Sequence, residues 1–272
     1  MKGLKQRLKN GESLIGTFLS LGNSLTTEII AQAGFDWVII DLEHGMGSET
    51  DVLHQLQAIE HTNTSAIIRV EGFQRQRIHR VLDFGAHGIM CPRVNLPIEA
   101  EMAVKAMQYT PGGLRGVAKM VRASGFGENF GQYQPQTRDE LVGIIQIETE
   151  ESLDHLDEIA MIDGVDVLFI GPADLSMALG IFGQLDHPKF IEAEEAIIAA
   201  AKKARKAIGF LLFDPAHYEK YYKKGIRFFA CGTDALFLSN GAKATVQQLN
   251  EYKSKMATYK GGNGELKNIK KV

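Results

Sequence analysis

Eight short apolar segments recur along the chain, each followed by a polar or glycine-bearing loop and then by an amphipathic helical pattern. The segments cover residues 16–21, 37–42, 66–70, 88–92, 142–147, 166–170, 208–213 and 228–232. They are apolar on both faces, as strands of a buried parallel sheet are. This alternation predicts an α/β fold, a (β/α)8 TIM barrel forming a single domain over residues 1–258. An open doubly wound sheet is the alternative, although no Gly-x-Gly-x-x-Gly follows the first strand.

The intervening helical patterns cover 26–33, 49–60, 76–83, 97–108, 150–160, 189–206, 216–224 and 234 to about 256. Residues 110–138 break the alternation, being rich in Gly, Arg and aromatic side chains. A long loop in a compact domain is typically functional or disordered, and this one follows the fourth strand. We therefore predict a lid over the barrel or a subunit contact there, and a disordered tail over 259–272.

Charge and cysteine content limit the classes of function. The net charge of −3 provides no general basic field for nucleic acid. The two cysteines lie in apolar runs and indicate no disulfide framework, which is typical of a reducing cytoplasm. The first residues lack the apolar stretch of a signal peptide, and no apolar run is long enough to span a bilayer. We expect a cytoplasmic protein that acts on small molecules, without nucleic-acid or membrane partners.

Polar side chains collect where the predicted strands end, which is the face that carries the active site of a TIM barrel. His44 follows the second strand and Arg69 ends the third. Gln146 and Glu148 end the fifth, and Asp174 follows the sixth. Buried charges are costly unless they are paired or bind a metal. Packing alone does not explain this set, so it predicts a functional site.

Glu148 and Asp174 are the candidate metal ligands, because Mg²⁺ binds one or two carboxylates and keeps several waters. No Cys or His cluster indicates zinc, so we expect Mg²⁺ or Mn²⁺, with Co²⁺ as a third option. Each carboxylate also has a structural interpretation, Asp174 as a helix N-cap and Glu148 as a surface strand end. His44 near Asp41 predicts a general base whose tautomer the carboxylate fixes.

Two further groups are candidates for binding the substrate. Arg69 offers a permanent cation to a developing oxyanion, or alternatively a structural salt bridge. Gly171, Pro172 and Ala173 open a helix, and the positive end of a helix is a natural seat for a carboxylate or phosphate.

Five motifs follow one another along the chain: Asp41-Leu-Glu-His44-Gly, Ile-Arg69-Val, Leu-Arg115-Gly-Val, Gln146-Ile-Glu148-Thr and Gly171-Pro-Ala-Asp174-Leu-Ser. Together they resemble the HpcH/HpaI aldolase family of class II, metal-dependent pyruvate aldolases. The resemblance runs from about residue 16 to 238 in the family's order. It implies an enzyme that reversibly cleaves a 4-hydroxy-2-oxo acid, such as a 2-keto-3-deoxy acid, to pyruvate and an aldehyde.

The resemblance also implies roles for individual residues. Glu148 and Asp174 would hold the metal, His44 would be the general base, and Arg69 would stabilise the enolate. Gln146 and the backbone at Ala173 would contact the keto acid. Asp83, rather than Asp41, would raise the basicity of His44. The implied assembly is a homohexamer of dimers that exchange the last helix.

The aldehyde and the reaction class retain alternatives. Phe213, at the end of the seventh predicted strand, is bulkier than the small residues that the family leads us to expect. Arg93 is predicted to bind a distal acid group of the aldehyde or to contact another subunit. A citryl- or malyl-thioester lyase of the same superfamily is one alternative, although the strand ends lack a basic patch for coenzyme A. A non-catalytic keto-acid-binding barrel is the other.

Overall fold

The computed structural model describes residues 3–260 and contains a closed barrel of eight parallel strands. The strands are β1 (Leu14–Leu19), β2 (Trp37–Asp41), β3 (Ser65–Arg69), β4 (Gly88–Cys91), β5 (Val142–Ile147), β6 (Val167–Ile170), β7 (Ala207–Leu212) and β8 (Phe228–Thr233). Each strand pairs with the next, and β8 closes on β1. The predicted barrel is confirmed, and every predicted strand is present to within two residues.

Each predicted helical pattern contains a helix. The helices are α1 (Leu4–Lys9), α2 (Ser24–Gln32), α3 (Glu49–Ile59), α4 (Arg75–Asp83), α5 (Pro97–Met107), α6 (Phe130–Glu140), α7 (Glu150–Asp154), α8 (Leu156–Met161), α9 (Pro172–Ala178), α10 (Pro188–Lys203), α11 (Tyr218–Lys224) and α12 (Asp234–Lys260). Those patterns did not include α1, α6 and α9. The predicted helix 150–160 is divided at His155. Residues 110–138, expected to form a loop, contain a 3₁₀ turn at Arg122–Ser124 and the first part of α6.

The chain forms two compact units, Met1–Asp234 and Ala235–Val272. The first unit contains the barrel, and the described part of the second is α12 beyond its first residue. The predicted disordered tail begins inside α12, and its remaining residues, 261–272, lie outside the described residues. Among residues 3–260, no helix has both the length and the apolar character that crossing a membrane requires.

Aromatic rings fill the interior of the barrel. Trp37 stacks on Phe228 with ring centroids 4.0 Å apart, and Phe169 meets Phe228 and Phe18 edge-on. Gly16 makes room for the indole, because a Cβ atom there would lie 2.2 Å from the Trp37 ring. The interior is therefore a packed core, which leaves the ends of the strands as the place for a binding site.

Candidate active site

A buried ion pair joins the ends of two neighbouring strands. Arg69 and Asp41 are in register as the last residues of β3 and β2. Arg69 Nε donates to Asp41 Oδ1 at 2.8 Å, and Nη2 donates to Oδ2 at 2.6 Å. Its Nη1 lies 3.1 Å from Glu43 Oε2, and the guanidinium lies over the Phe18 ring. Burial lowers the pKa of Arg69, but the bonds and charges of Asp41 and Glu43 outweigh burial and raise the pKa, so this group is a permanent, fixed cation.

Glu148 directly follows β5 and is 2% exposed, so its interpretation as a surface strand end is wrong. Its Oε1 accepts the backbone N–H of Arg93 at 2.7 Å, and its Oε2 accepts the amide of Gln146. Arg93 adopts a φ of 49°, a left-handed conformation that costs a non-glycine residue free energy. Burial, together with the nearby charges of Asp174 and Glu43, raises the pKa of Glu148 to about 7 against the opposing effect of the two hydrogen bonds.

The start of α9 faces this carboxylate. Gly171 is the N-cap, and a Cβ atom on it would lie 2.7 Å from Glu148 Oε2. Pro172 and Ala173 form the first turn together with Asp174, whose side chain is exposed. The N-cap interpretation of Asp174 is therefore wrong, because Gly171 occupies that position. The predicted substrate-binding turn and the predicted metal ligand thus lie beside Glu148.

The carboxylates at this end of the barrel are chemically suited to a divalent cation. The charges of Asp174 and Glu43 both raise the pKa of Glu148, so the three groups repel one another in a partly buried place. A divalent cation would offset that repulsion, and hard cations prefer oxygen ligands. Within residues 3–260 no group of three or more His, Cys, Asp or Glu side chains is arranged as a metal site. The donor set fits a cation that keeps several waters, and the assignment of Glu148 and Asp174 as its ligands stays a prediction.

The loop after β2 carries His44, whose side chain is 67% exposed. Its Nε2 lies 3.8 Å from Glu43 Oε2. The backbone N–H groups of Glu43 and His44 donate to Asp41 Oδ1 at 3.0 and 3.3 Å. The Asp41 carboxylate is thus occupied by Arg69 and by the backbone of the loop. Our expectation that Asp41 fixes the imidazole tautomer is wrong, because it holds the loop and not the ring.

Asp83, the last residue of α4, belongs to a different cluster. Its Oδ1 accepts Nη2 of Arg115 at 2.7 Å. Arg115 is 1% exposed and lies over the rings of Tyr109 and Tyr133. In the described part of the chain no hydrogen bond or ion pair joins Asp83 to His44. A single chain therefore does not form the implied pair, and the role of Asp83 stays a prediction.

Sequence reasoning missed three contributors to this site. Glu43 was quoted within a motif but received no role, although its position at a strand end was the same signal that identified His44. The backbone N–H of Arg93 and the ring of Phe18 carry no sequence signal of function, because their roles depend on a backbone conformation and on barrel geometry.

Comparisons with known proteins agree with this arrangement. The profile of the HpcH/HpaI aldolase/citrate lyase family matches residues 14–241. A 4-hydroxy-2-oxo-heptane-1,7-dioate aldolase of Salmonella dublin is 37% identical over 250 residues, which are 92% of this chain and 95% of that protein. A hydroxypyruvate/pyruvate aldolase of Paraburkholderia phytofirmans is 38% identical over 257 residues, covering 92% and 97% of the two proteins.

A solved structure provides the same result at the level of the fold. The crystal structure of an HpcH/HpaI aldolase/citrate lyase family protein from Burkholderia cenocepacia has a TM-score of 0.86 at 36% identity. The match covers 91% of this chain and 98% of that one. Together with the arginine and carboxylates at the strand ends, these matches show that the chain is an aldolase, a carbon–carbon lyase, and that it belongs to the HpcH/HpaI aldolase/citrate lyase family.

Proposed function

We propose that this aldolase reversibly cleaves a 4-hydroxy-2-oxo acid to pyruvate and an aldehyde, using a bound divalent cation. The observation that carries the proposal is the placement of a fixed cation, Arg69, and a buried carboxylate, Glu148, at the same end of the barrel. Arg69 suits a substrate that develops an enolate oxyanion, and the carboxylate would hold the divalent cation. The names of the relatives with 37% and 38% identity support the same reaction class.

Glu148 and Asp174 would hold Mg²⁺, Mn²⁺ or Co²⁺, which supplies Lewis acidity toward the 2-keto and carboxylate oxygens of the substrate. Gln146 and the backbone N–H of Ala173 would orient the keto acid at the start of α9. The helix N-terminus favours the negative charge of its carboxylate.

In cleavage, His44 takes the proton of the 4-hydroxyl group, and the C3–C4 bond breaks to release the aldehyde. The electron pair of that bond forms the pyruvate enolate, whose negative oxygen Arg69 stabilises. Because Asp41 already holds the guanidinium through two bonds, Arg69 needs no reorganisation as that charge develops. A proton is then added to the enolate carbon to form the methyl group of pyruvate, and synthesis follows the same steps in reverse.

Asp83 can serve His44 in this scheme only if a second copy of the chain supplies it, because within the described residues of one chain no hydrogen bond or ion pair joins the two side chains. We therefore propose a homo-oligomer with a site shared between copies, and the predicted hexamer with an exchanged last helix is one such assembly. Mixing the impaired His44→Ala and Asp83→Asn proteins tests this idea, since hybrid sites would regain activity. The cytoplasmic location stays a prediction.

A synthesis assay tests the reaction class directly. The purified chain is incubated with pyruvate and a panel of aldehydes, with and without carboxyl groups, in Mn²⁺ or in EDTA, and products are identified by mass spectrometry. We expect an adduct with the summed mass of pyruvate and one aldehyde, lost in EDTA and in Glu148→Gln. The control Glu194→Gln changes a buried carboxylate on α10, paired with Lys224, and should keep activity. Metal binding with no adduct and no cleavage would favour a keto-acid binder instead.

A further inference from the structure

A buried carboxylate outside the proposed chemistry fixes the loop after β1. Asp234, the first residue of α12, is 4% exposed. Its Oδ1 accepts the backbone N–H and the hydroxyl of Ser20 at 2.8 and 3.0 Å. Its Oδ2 accepts the N–H of Leu21 at 3.2 Å and the hydroxyl of Thr26 at 3.4 Å. The negative charge at the end of β8 thus sets the position of the neighbouring loop.

That loop is in direct backbone contact with the loop that carries His44. The carbonyl of Ser20 accepts the N–H of Met46 at 2.8 Å. A Cβ atom on Gly22 would lie 2.6 Å from the Cα of Gly47, so the two loops are in contact there with no side chain between them. Gly22 has a φ of 61°, which glycine adopts freely. The spacing between the loops is therefore determined by the backbone, and a shift of Ser20 must move Met46.

The imidazole of His44 depends on this backbone for its position, because its side chain is largely exposed and Glu43 is its nearest carboxylate, at 3.8 Å. The loop is held on one side by Asp41 Oδ1 and on the other by the carbonyl of Ser20. We infer that Asp234 is a positioning residue for His44, acting through Ser20 and Met46. This inference rests on the proposed role of His44 as the base.

Asp234→Asn tests the inference with little change in volume. The asparagine keeps one oxygen for Ser20 but places an amide N–H group against the N–H of Leu21. A displaced catalytic group of about 1 Å can cost up to roughly 100-fold in rate, so we expect kcat to fall roughly 10- to 100-fold. The KM for the keto acid and the affinity for Mn²⁺ should stay within a factor of about 3, because their proposed ligands lie at the end of β5 and at the start of α9.

The decisive readout is a double-mutant comparison. If Asp234 acts through His44, Asp234→Asn should cause no further loss of residual activity in a His44→Ala background. A merely structural residue would lower activity by the same factor in both backgrounds, and that result would overturn the inference. An unchanged kcat in Asp234→Asn would also overturn it.

Two further variants keep the test interpretable. Asp166 directly precedes β6 and so lies at the opposite end of the barrel. Its carboxylate accepts the N–H of Gly143 at 2.9 Å and pairs with Lys5, and Asp166→Asn should leave kcat unchanged. Gly22→Ala separates the same two loops with Asp234 intact and should lower kcat even if Asp234→Asn does not fold. An inactive wild-type protein would contradict the proposed function, whereas a wild type that needs His44 but not Asp234 would contradict this inference alone.

Discussion

Replacing Glu148 by glutamine should stabilise the metal-free protein at neutral and higher pH. Glu148 is 2% exposed, and burial raises its pKa from 4.5 to about 7. Between these values the folded protein keeps a proton that the unfolded chain has lost. The free energy of unfolding therefore falls as pH rises through this range, and the cost is complete above pH 7 and absent below about pH 4.5.

The size of the effect follows from the shift. Each pKa unit corresponds to about 1.4 kcal/mol, so the charged carboxylate costs roughly 3 kcal/mol at pH 8. Glu148→Gln removes that cost and retains an oxygen for the N–H of Arg93. Among the described residues no donor reaches the buried Oε1 of Gln146. If the Gln146 amide flips, this oxygen can accept a hydrogen bond from the amide that Glu148→Gln introduces. We expect a gain approaching 3 kcal/mol at pH 8 and little gain at pH 5.

The assay is urea or thermal unfolding in EDTA at pH 5 and pH 8, where each kcal/mol moves Tm by about 2–4 °C. The matched control is Glu194→Gln, whose wild-type Oε2 lies 2.7 Å from Lys224 Nζ. Loss of that ion pair should cost roughly 1–3 kcal/mol at pH 8. Mn²⁺ should make the wild type more stable than Glu148→Gln, because the metal stabilises only the proteins that keep Glu148. A Glu148→Gln protein less stable than wild type at pH 8 in EDTA would refute the reasoning.

Three other outcomes are expected. Saturating Mn²⁺ should raise the Tm of the wild type more at pH 8 than at pH 6, because protons compete with the metal for the buried carboxylate; an equal rise at both pH values, measured by calorimetry, would contradict this. Arg69→Lys cannot make both bonds to Asp41 and should lower kcat/KM roughly 100-fold or more in a coupled pyruvate assay, so a loss under threefold would contradict the oxyanion role. Gly16→Ala should prevent folding or lower Tm sharply, because its Cβ would lie 2.2 Å from the Trp37 ring. The control Gly241→Ala, whose Cβ would meet nothing within 4 Å, should raise helix stability by about 1 kcal/mol. Comparable expression and Tm for the two variants would contradict the packing argument.

The barrel was predictable because every strand is apolar on both faces and the helical period follows each one. Helix α6 was not predictable, because Gly131 and Pro135 lie within it and disfavour a helix locally. Helix α1 spans six residues, too few for its period to be recognised. Elements with a long and regular pattern are thus readable from sequence, and short or glycine-containing elements depend on packing that sequence does not display.

The site was predictable as a set of residues but not as a set of contacts. The strand ends identified the charged groups, because parallel strands all finish at the same face. Which groups pair depends on register: Asp41 faces Arg69 across β2 and β3, which removes it from the imidazole. Asp83 binds Arg115, which lies 32 residues further along the chain in an irregular segment, and no periodic pattern predicts this contact.

Formation of a pyruvate enolate is the central claim, and proton–deuterium exchange at the methyl group of pyruvate tests it without knowledge of the aldehyde. The reaction is followed by NMR in D2O with Mg²⁺, with Mn²⁺ in trace amounts, and again with EDTA. We expect exchange that requires the metal and is lost in Glu148→Gln but kept in Glu194→Gln. Exchange that persists in EDTA would contradict the metal assignment. No exchange by a metal-loaded protein that binds pyruvate would contradict the proposed chemistry itself.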